Sequence, residues 1–454
     1  MIAALPWLCN HGPPGLRLMR MTKHLRFAGI PRRPSVLVPR LAVVLAVTMA
    51  AAPIAGCGGS APPPVMAHGV TLQETAADPR PYAAADTAFG LDLLGAWCRT
   101  DPQANLVLSP SSLASGLGMA YLGARGRTGQ AMAATLHLPA ASQTALEAGL
   151  RARSSALRAL TGSGVRLQSS DQIWADPSLH TSASYLDAVA TGYGAGVARV
   201  PLLSDPDQVI KQIDQAISST TRGHIPQLLA PGSLRQTGWV LTDALYLNAA
   251  WATPFQASQT APGAFTTAAG QRVSAQFMNG GRYRAFSAGK WTAVWLPYRG
   301  DRLAMMALLP PAGNSGCTLP SASALGAMTT ALGSDHPGDV IRSISLPRVN
   351  ISGNTSMKSL LSQLGMGVAF TPAADFTGLA PQAAYIGLVR HAATLQVGEK
   401  GTVATAATAV GIVASAGEVM PPLITFDRPY LMVVTARATG EPLFMARVAN
   451  ASTH

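Results

Sequence analysis

Charge is scarce in this chain. Only 12% of its 454 residues are Asp, Glu, Lys or Arg, and 6% are aromatic. Four cysteines are too few for a disulfide-framed scaffold. No Cys-x-x-Cys or His-x-x-x-His spacing offers a metal cage, so neither metal nor cofactor is expected. A Gly-x-Ser-x-Gly elbow and a Gly-rich phosphate loop are also missing. Ser287-Ala-Gly-Lys290 has the Ser-x-x-Lys form of a serine nucleophile with its base, but no Lys-Thr-Gly accompanies it. An enzyme of the penicillin-binding type is therefore a distant alternative. The formal charge is +12, yet residues 1–56 hold seven basic residues and no acid, which leaves 12 − 7 = +5 on the rest. No basic run lies in that remainder, which removes nucleic acid as a partner.

What is present is apolar. Residues of that class make up 48% of the chain, enough for a substantial core. Residues 1–56 read as an export segment, with a basic region to Arg40 and an apolar run from Leu41 to Ala55. That run ends Ile54-Ala55-Gly56-Cys57, which resembles the lipobox of bacterial lipoproteins and implies lipid attachment at Cys57. Residues 57–79 then form a flexible tether, and 80–454 one α+β domain, expected as a monomer. Cys98 and Cys317 either pair, as an exporting compartment permits, or stay free as small buried residues.

Periodicity predicts helices over Ala85–Cys98, from a cap at Ser111 or Ser112 through Leu122, from a cap at Thr128 to Leu136, over Arg151–Leu160, Ser184–Thr191 and Asp205–Thr220, around Ala322–Leu332, and over Thr355–Leu364 with Gly365 as its stop. Strands are predicted at Gln168–Trp174, Trp239–Trp251, Arg342–Ile351, Ile386–Val397, Tyr430–Ala436 and Leu443–Val448. Asp243 sits inside the second of these, and a carboxylate in such a strand needs a partner.

One stretch fits neither class. Glu399 to Ala416 mixes Ala with Thr402, Val403, Thr405, Thr408 and Val410, and carries no apolar residue larger than Val before Ile412. The β-branched residues disfavour helix, while the small ones anchor no core. Its setting resembles one family over nearly the whole domain. Asn105-Leu-Val-Leu-Ser-Pro-Ser-Ser-Leu, Leu122 to Thr128, Asp243 to Phe255, Leu346-Pro-Arg-Val, Leu364-Gly-Met and Ala374-Asp-Phe-Thr-Gly recur in order. His391 to Thr402, Phe426-Asp-Arg-Pro-Tyr and Leu443-Phe-Met-Ala-Arg-Val complete the set. Together they resemble the serpins, the serine protease inhibitors.

The resemblance implies a fold of about three β-sheets and eight or nine helices with an exposed reactive-centre loop. It implies no catalysis by the chain itself, but covalent trapping of a target serine protease. The protease cleaves the loop, and the loop enters the large sheet as a new strand. Glu399, Gly401, Thr402, Ala404, Ala406 and Thr408 match the hinge, with the last four on the face to be buried. Val403 and Thr405 depart from the family pattern on the opposite, tolerant face. Family spacing places the reactive bond at Ser415–Ala416, with Ala414–Ser415 and Val413–Ala414 as alternatives. No Arg or Lys lies between Lys400 and Phe426, so an elastase-like or subtilisin-like target is expected, and a papain-like one less so. Arg348 and Glu399 match a salt bridge. Ser109, Ser112, Asp243 and His391 match the region where the sheet opens, with Asp243 standing in place of the family's asparagine. Two readings are open there. Asp243 and His391 form a charged, pH-dependent pair, or Asp243 accepts from the serine hydroxyls beside a neutral His391.

Overall fold

The helix Pro110–Gly123 sets the distances of this molecule. All but one of its residues are buried, and most are Ser, Ala, Gly or Leu. A Cβ on Gly116 would come within 3.3 Å of the Leu241 side chain, so the helix lies hard against the strand Trp239–Ala250. Ser109 caps it, accepting from the Ser112 backbone N–H at 3.2 Å, where Ser111 or Ser112 was expected as the cap. The structure is a computed structural model that describes residues 63–71, 76–162, 164–235, 237–288, 290–334, 340–381, 384–402 and 421–452. Eight α-helices and two sheets lie among them, an α+β fold.

Hydrogen bonding joins the described strands into sheets of eight and nine strands, where about three sheets were expected. The strand Arg272–Ala288 gives the reason. It bends at Gly280 and Gly281, where φ is 112° and 79°. Before the bend it pairs with Ala261–Thr266, after it with Trp291–Pro297, and Val340–Pro347 follows both halves. One strand thus serves two lobes. The eight-stranded sheet holds the seam described below. Its inner face rests on Pro110–Gly123, and helix Pro206–Thr220 lays Val209, Ile210, Ile213 and Ile217 over Trp174, Val240, Ala244 and Ala392 on the outer face.

Several local expectations shift. The predicted strand Gln168–Trp174 is two, Val165–Ser169 and Gln172–Ala175. Arg342–Ile351 divides at Arg348, whose N–H leaves for the Gln276 carbonyl at 2.8 Å. Thr128 does not cap the next helix, which begins at Gly126; its hydroxyl accepts from the Asp375 N–H instead. The helix expected from Arg151 begins at Gln143, capped by Ser142. Thr355 belongs to a strand, and the helix after it starts at Lys358. Ser287 and Lys290 are exposed on either side of a hairpin turn in which Ser287 faces Thr292. A Ser-x-x-Lys pair meets on a helical turn, not across this one.

Two connections extend the ordered body. Residues expected as tether include a strand, Val65–Ala67, paired antiparallel with Val197–Arg199, and Val70 N–H donates to Asp187 at 2.6 Å. Cys98 and Cys317 are disulfide-bonded, with Cα atoms 5.6 Å apart across 219 residues of sequence. The bridge ties the first long helix, Arg80–Thr100, to the segment before helix Ala322–Gly333. Closing so long a loop restricts the unfolded chain. Replacing both cysteines by serine is expected to cost about 2–5 kcal/mol in urea-unfolding free energy. An unchanged midpoint would show that the bridge does not constrain the fold.

Candidate functional site

The site is a seam in the eight-stranded sheet. The strand Val389–Gly398 pairs antiparallel with Val349–Ser356 on one side. On the other it pairs parallel with Trp239–Ala250, but only from Val389 opposite Leu241 to Ala393 opposite Leu245. Parallel ladders are the weaker kind per residue. Beyond Ala393 these two strands separate, and Gly401–Thr402 lies between them, antiparallel to both.

That wedge is held by close fit. Gly401 has φ +146°, and a Cβ there would come 2.1 Å from the Ala249 carbonyl oxygen, so only glycine enters. Thr402 is 0% exposed, and its hydroxyl meets the Tyr298 hydroxyl at 2.5 Å. Tyr298 stacks on Trp251 with ring centres 4.5 Å apart. The Trp251 indole N–H donates to Gly398 O at 2.8 Å, and its backbone N–H to Lys400 O at 2.9 Å. Arg348 Nε donates to Glu399 Oε1 at 2.7 Å, and the Thr260 hydroxyl to the same oxygen at 2.6 Å. Burial would raise the Glu399 pKa, but the hydrogen bonds from Arg348 and Thr260 outweigh it and hold the carboxyl below its usual range.

Lower in the seam lies a row of polar groups on adjacent strands. His391 stands opposite Asp243, and both are buried. The Nδ1 of His391 bonds Asp243 Oδ1, while its Nε2 accepts the Ser109 backbone N–H at 3.0 Å. A ring nitrogen that accepts carries no proton, so His391 is neutral and donates through Nδ1. The serine hydroxyls do not turn to Asp243. Ser112 Oγ donates to Asp171 Oδ1 at 2.6 Å, and Ser109 Oγ lies 3.3 Å from Ser111 Oγ. Each earlier reading holds in part: the Asp243–His391 pair forms, and the histidine in it is neutral, while the Ser112 hydroxyl goes to Asp171 and not to Asp243. Asp243 Oδ2 is buried with no hydrogen-bond partner. Burial, and next the charge of Asp243, push the Asp171 carboxyl well above its usual range. A cavity of about 480 Å³ opens beside it, lined by Ser112, Gln168, Ser169 and Asp171 among others.

Sequence reasoning named Arg348, Glu399, Gly401 and Thr402, and the structure brings them together at the head of the seam. It named Ser109, Ser112, Asp243 and His391, which gather lower down. Asp171, Thr260, Trp251 and Tyr298 were missed. Asp171 carried the signal that singled out Asp243, an acid in a strand-like run. Ala404, Ala406, Thr408, the bonds between Val413 and Ala416, and Cys57 lie outside the described residues.

Residues 84–451 match the family model described as serpin (serine protease inhibitor). The chain is 30% identical, over 76% of its length and 80% of the relative's, to an uncharacterised serpin-like protein of Thermococcus kodakarensis. It is 27% identical to the leukocyte elastase inhibitor of Sus scrofa, covering 81% of this chain and 99% of that one. Among solved structures it superposes on the thermophilic serpin tengpin in its native state, with TM-score 0.73 and 23% identity over 85% of this chain and 97% of that one. Maspin gives a TM-score of 0.73 at 20% identity, over 82% and 99%.

The Glu399 contacts set a pH dependence. A carboxyl with a lowered folded pKa contributes stability above its unfolded value of about 4.3, and loses it as pH falls through the folded value. Glu399→Gln is expected to cost about 1 kcal/mol at neutral pH, after solvent screening at the half-exposed Arg348. The cost should shrink as pH falls below about 4. Urea midpoints of both proteins across that range check it.

Proposed function

The chain belongs to the serpin family of serine protease inhibitors, and we propose that it is an inhibitory member, exported and lipid-anchored at Cys57. An elastase-like or subtilisin-like protease cleaves the loop at Ser415–Ala416, or at a bond within Val413–Ser415. It is caught as the acyl-enzyme and carried along as the cut loop enters the sheet. The observation that carries this reading is the wedge of Gly401–Thr402 at the head of a seam whose strands are paired to each other below it.

The register supports the continuation. In an antiparallel ladder, partner numbers keep a constant sum, and Thr402 stands opposite Ala249 and Val397. In the inserted strand Ala404 would then face Leu247 and Leu395, and Ala406 would face Leu245 and Ala393. Thr408 would fall between Asp243 and His391 and take the place of their mutual hydrogen bond. Ala407 would face Ala244 and Ala392, the level that helix Pro206–Thr220 covers. The face expected to be tolerant is therefore tight at its middle, and the chain has alanine there. Insertion must part the pairs from Leu241–Val389 to Leu245–Ala393. About a dozen new ladder bonds at about 1 kcal/mol net each return on the order of 10 kcal/mol.

The small residues before the bond and the absence of basic ones support an elastase-like or subtilisin-like target. Relatives from pig and human are named leukocyte elastase inhibitors. Lipid at Cys57 would leave residues 58–64 to span to the docked Val65–Ala67 strand, about 24 Å if extended, which keeps the domain close to its membrane.

Incubation with subtilisin and pancreatic elastase tests the reading. The expected result is a detergent-resistant complex on a denaturing gel and a released peptide beginning at Ala416. Cleavage with no complex would make the protein a non-inhibitory member, a carrier or a substrate. Thr402→Arg is expected to remove the complex while leaving cleavage intact, because burying an unpaired charge costs several kcal/mol. Undiminished complex in that variant would place the wedge outside the mechanism.

A further inference from the structure

Asp171 and Asp243 face each other directly. Ser169 pairs with Leu245 and Gln172 with Thr242, and the same register sets Asp171 opposite Asp243. The Ser170 N–H reaches the Ala244 carbonyl at 2.9 Å between them, so the ladder continues through the break. Two ionised carboxylates in directly opposed positions repel, most strongly out of water. The donors that reach the pair serve Asp171 or Asp243 Oδ1, and the Ser169 hydroxyl too bonds the Asp171 side chain. His391 gives its one N–H to Asp243 Oδ1, and Ser112 gives its hydroxyl to Asp171 Oδ1. Asp243 Oδ2 is left buried and bare.

We infer that Asp171 and Asp243 share one proton, Asp171 donating it to Asp243 Oδ2, and that the row Asp171–Asp243–His391 is a pH-sensitive latch on the seam. A single proton satisfies the bare oxygen and removes the repulsion together. Other charged groups facing the pair do not replace it. Arg153, from helix Gln143–Arg158, reaches toward Asp171 but is engaged by Asp86 and Glu441. Tyr193, from helix Ala183–Tyr193, and Arg158, at the cavity rim, complete the surroundings. The cavity beside Asp171 gives the proton a route to water. Burial and the facing charge act in the same direction on Asp171.

The sign follows from linkage. In the unfolded chain both acids ionise near pH 4, while the folded pair keeps a proton above that. The stability this proton confers is fully present below the unfolded value and is lost as pH rises through the raised folded value. Losing the proton leaves Asp171 charged against a charged Asp243, the residue that holds His391 across the seam.

Asp171→Asn keeps the acceptor for Ser112 and offers a permanent N–H to Asp243. Two readouts on purified protein test the inference without any protease, so they stand or fall apart from inhibition. In infrared difference spectra near neutral pH, the wild type is expected to show a protonated-carboxyl band that D171N lacks. In urea unfolding, D171N is expected to gain little at about pH 5 and progressively more toward about pH 8. A missing band, or a D171N difference that stays constant with pH, overturns the inference. Asp243→Asn removes the facing charge and is expected to flatten the same interval. It serves if D171N does not fold, and a wild-type slope in D243N would also overturn the latch.

Discussion

The proposed strand insertion depends on one parallel ladder, from Leu241–Val389 to Leu245–Ala393. It is the part of the large sheet that is closed directly, and the part with the weaker pairing geometry. Above it the chain has already admitted Gly401 and Thr402. For the proposed insertion the seam must hold in the folded state and part for another strand. That balance explains why its neighbours are small, snug and polar in so few places.

The polar places divide by role. At the head, Arg348, Thr260 and Glu399 fix the turn, and Trp251 and Tyr298 wall in Thr402. These contacts define where a strand would start. In the middle, His391 is tied to Asp243 on one side and to the cap of helix Pro110–Gly123 on the other. One imidazole thus links the seam to the helix beneath it. An acid in place of an amide at Asp243 brings a charge into that link, and Asp171 opposite makes the charge a matter of proton count.

A structural serpin likeness alone does not distinguish inhibitors from other members. What favours inhibition here is agreement between two independent features. The sequence places Ala or Thr at each hinge position of one parity, and the register would bring those positions against buried Leu, Ala and the Asp243–His391 pair. The outer face adds a constraint that the sequence did not reveal, since helix Pro206–Thr220 covers it at the level of Ala244 and Ala392.

By itself the sequence determined the family likeness and most helices and strands, because these are written in local composition and in motifs that keep their order. It also determined that no Arg or Lys lies between Lys400 and Phe426. Tertiary structure alone decided the protonation of His391, the recipient of the Ser112 hydroxyl, the pairing of Cys98 with Cys317 and the joining of strands into two sheets. Each of these depends on which distant residues meet. A register is fixed by the pairing of whole strands, and one residue of slip would turn Asp171 away from Asp243. A bend at Gly280 and Gly281 likewise joins lobes through a geometry that composition does not encode. The chain's local chemistry names the participants, and the ladder sets which of them face each other.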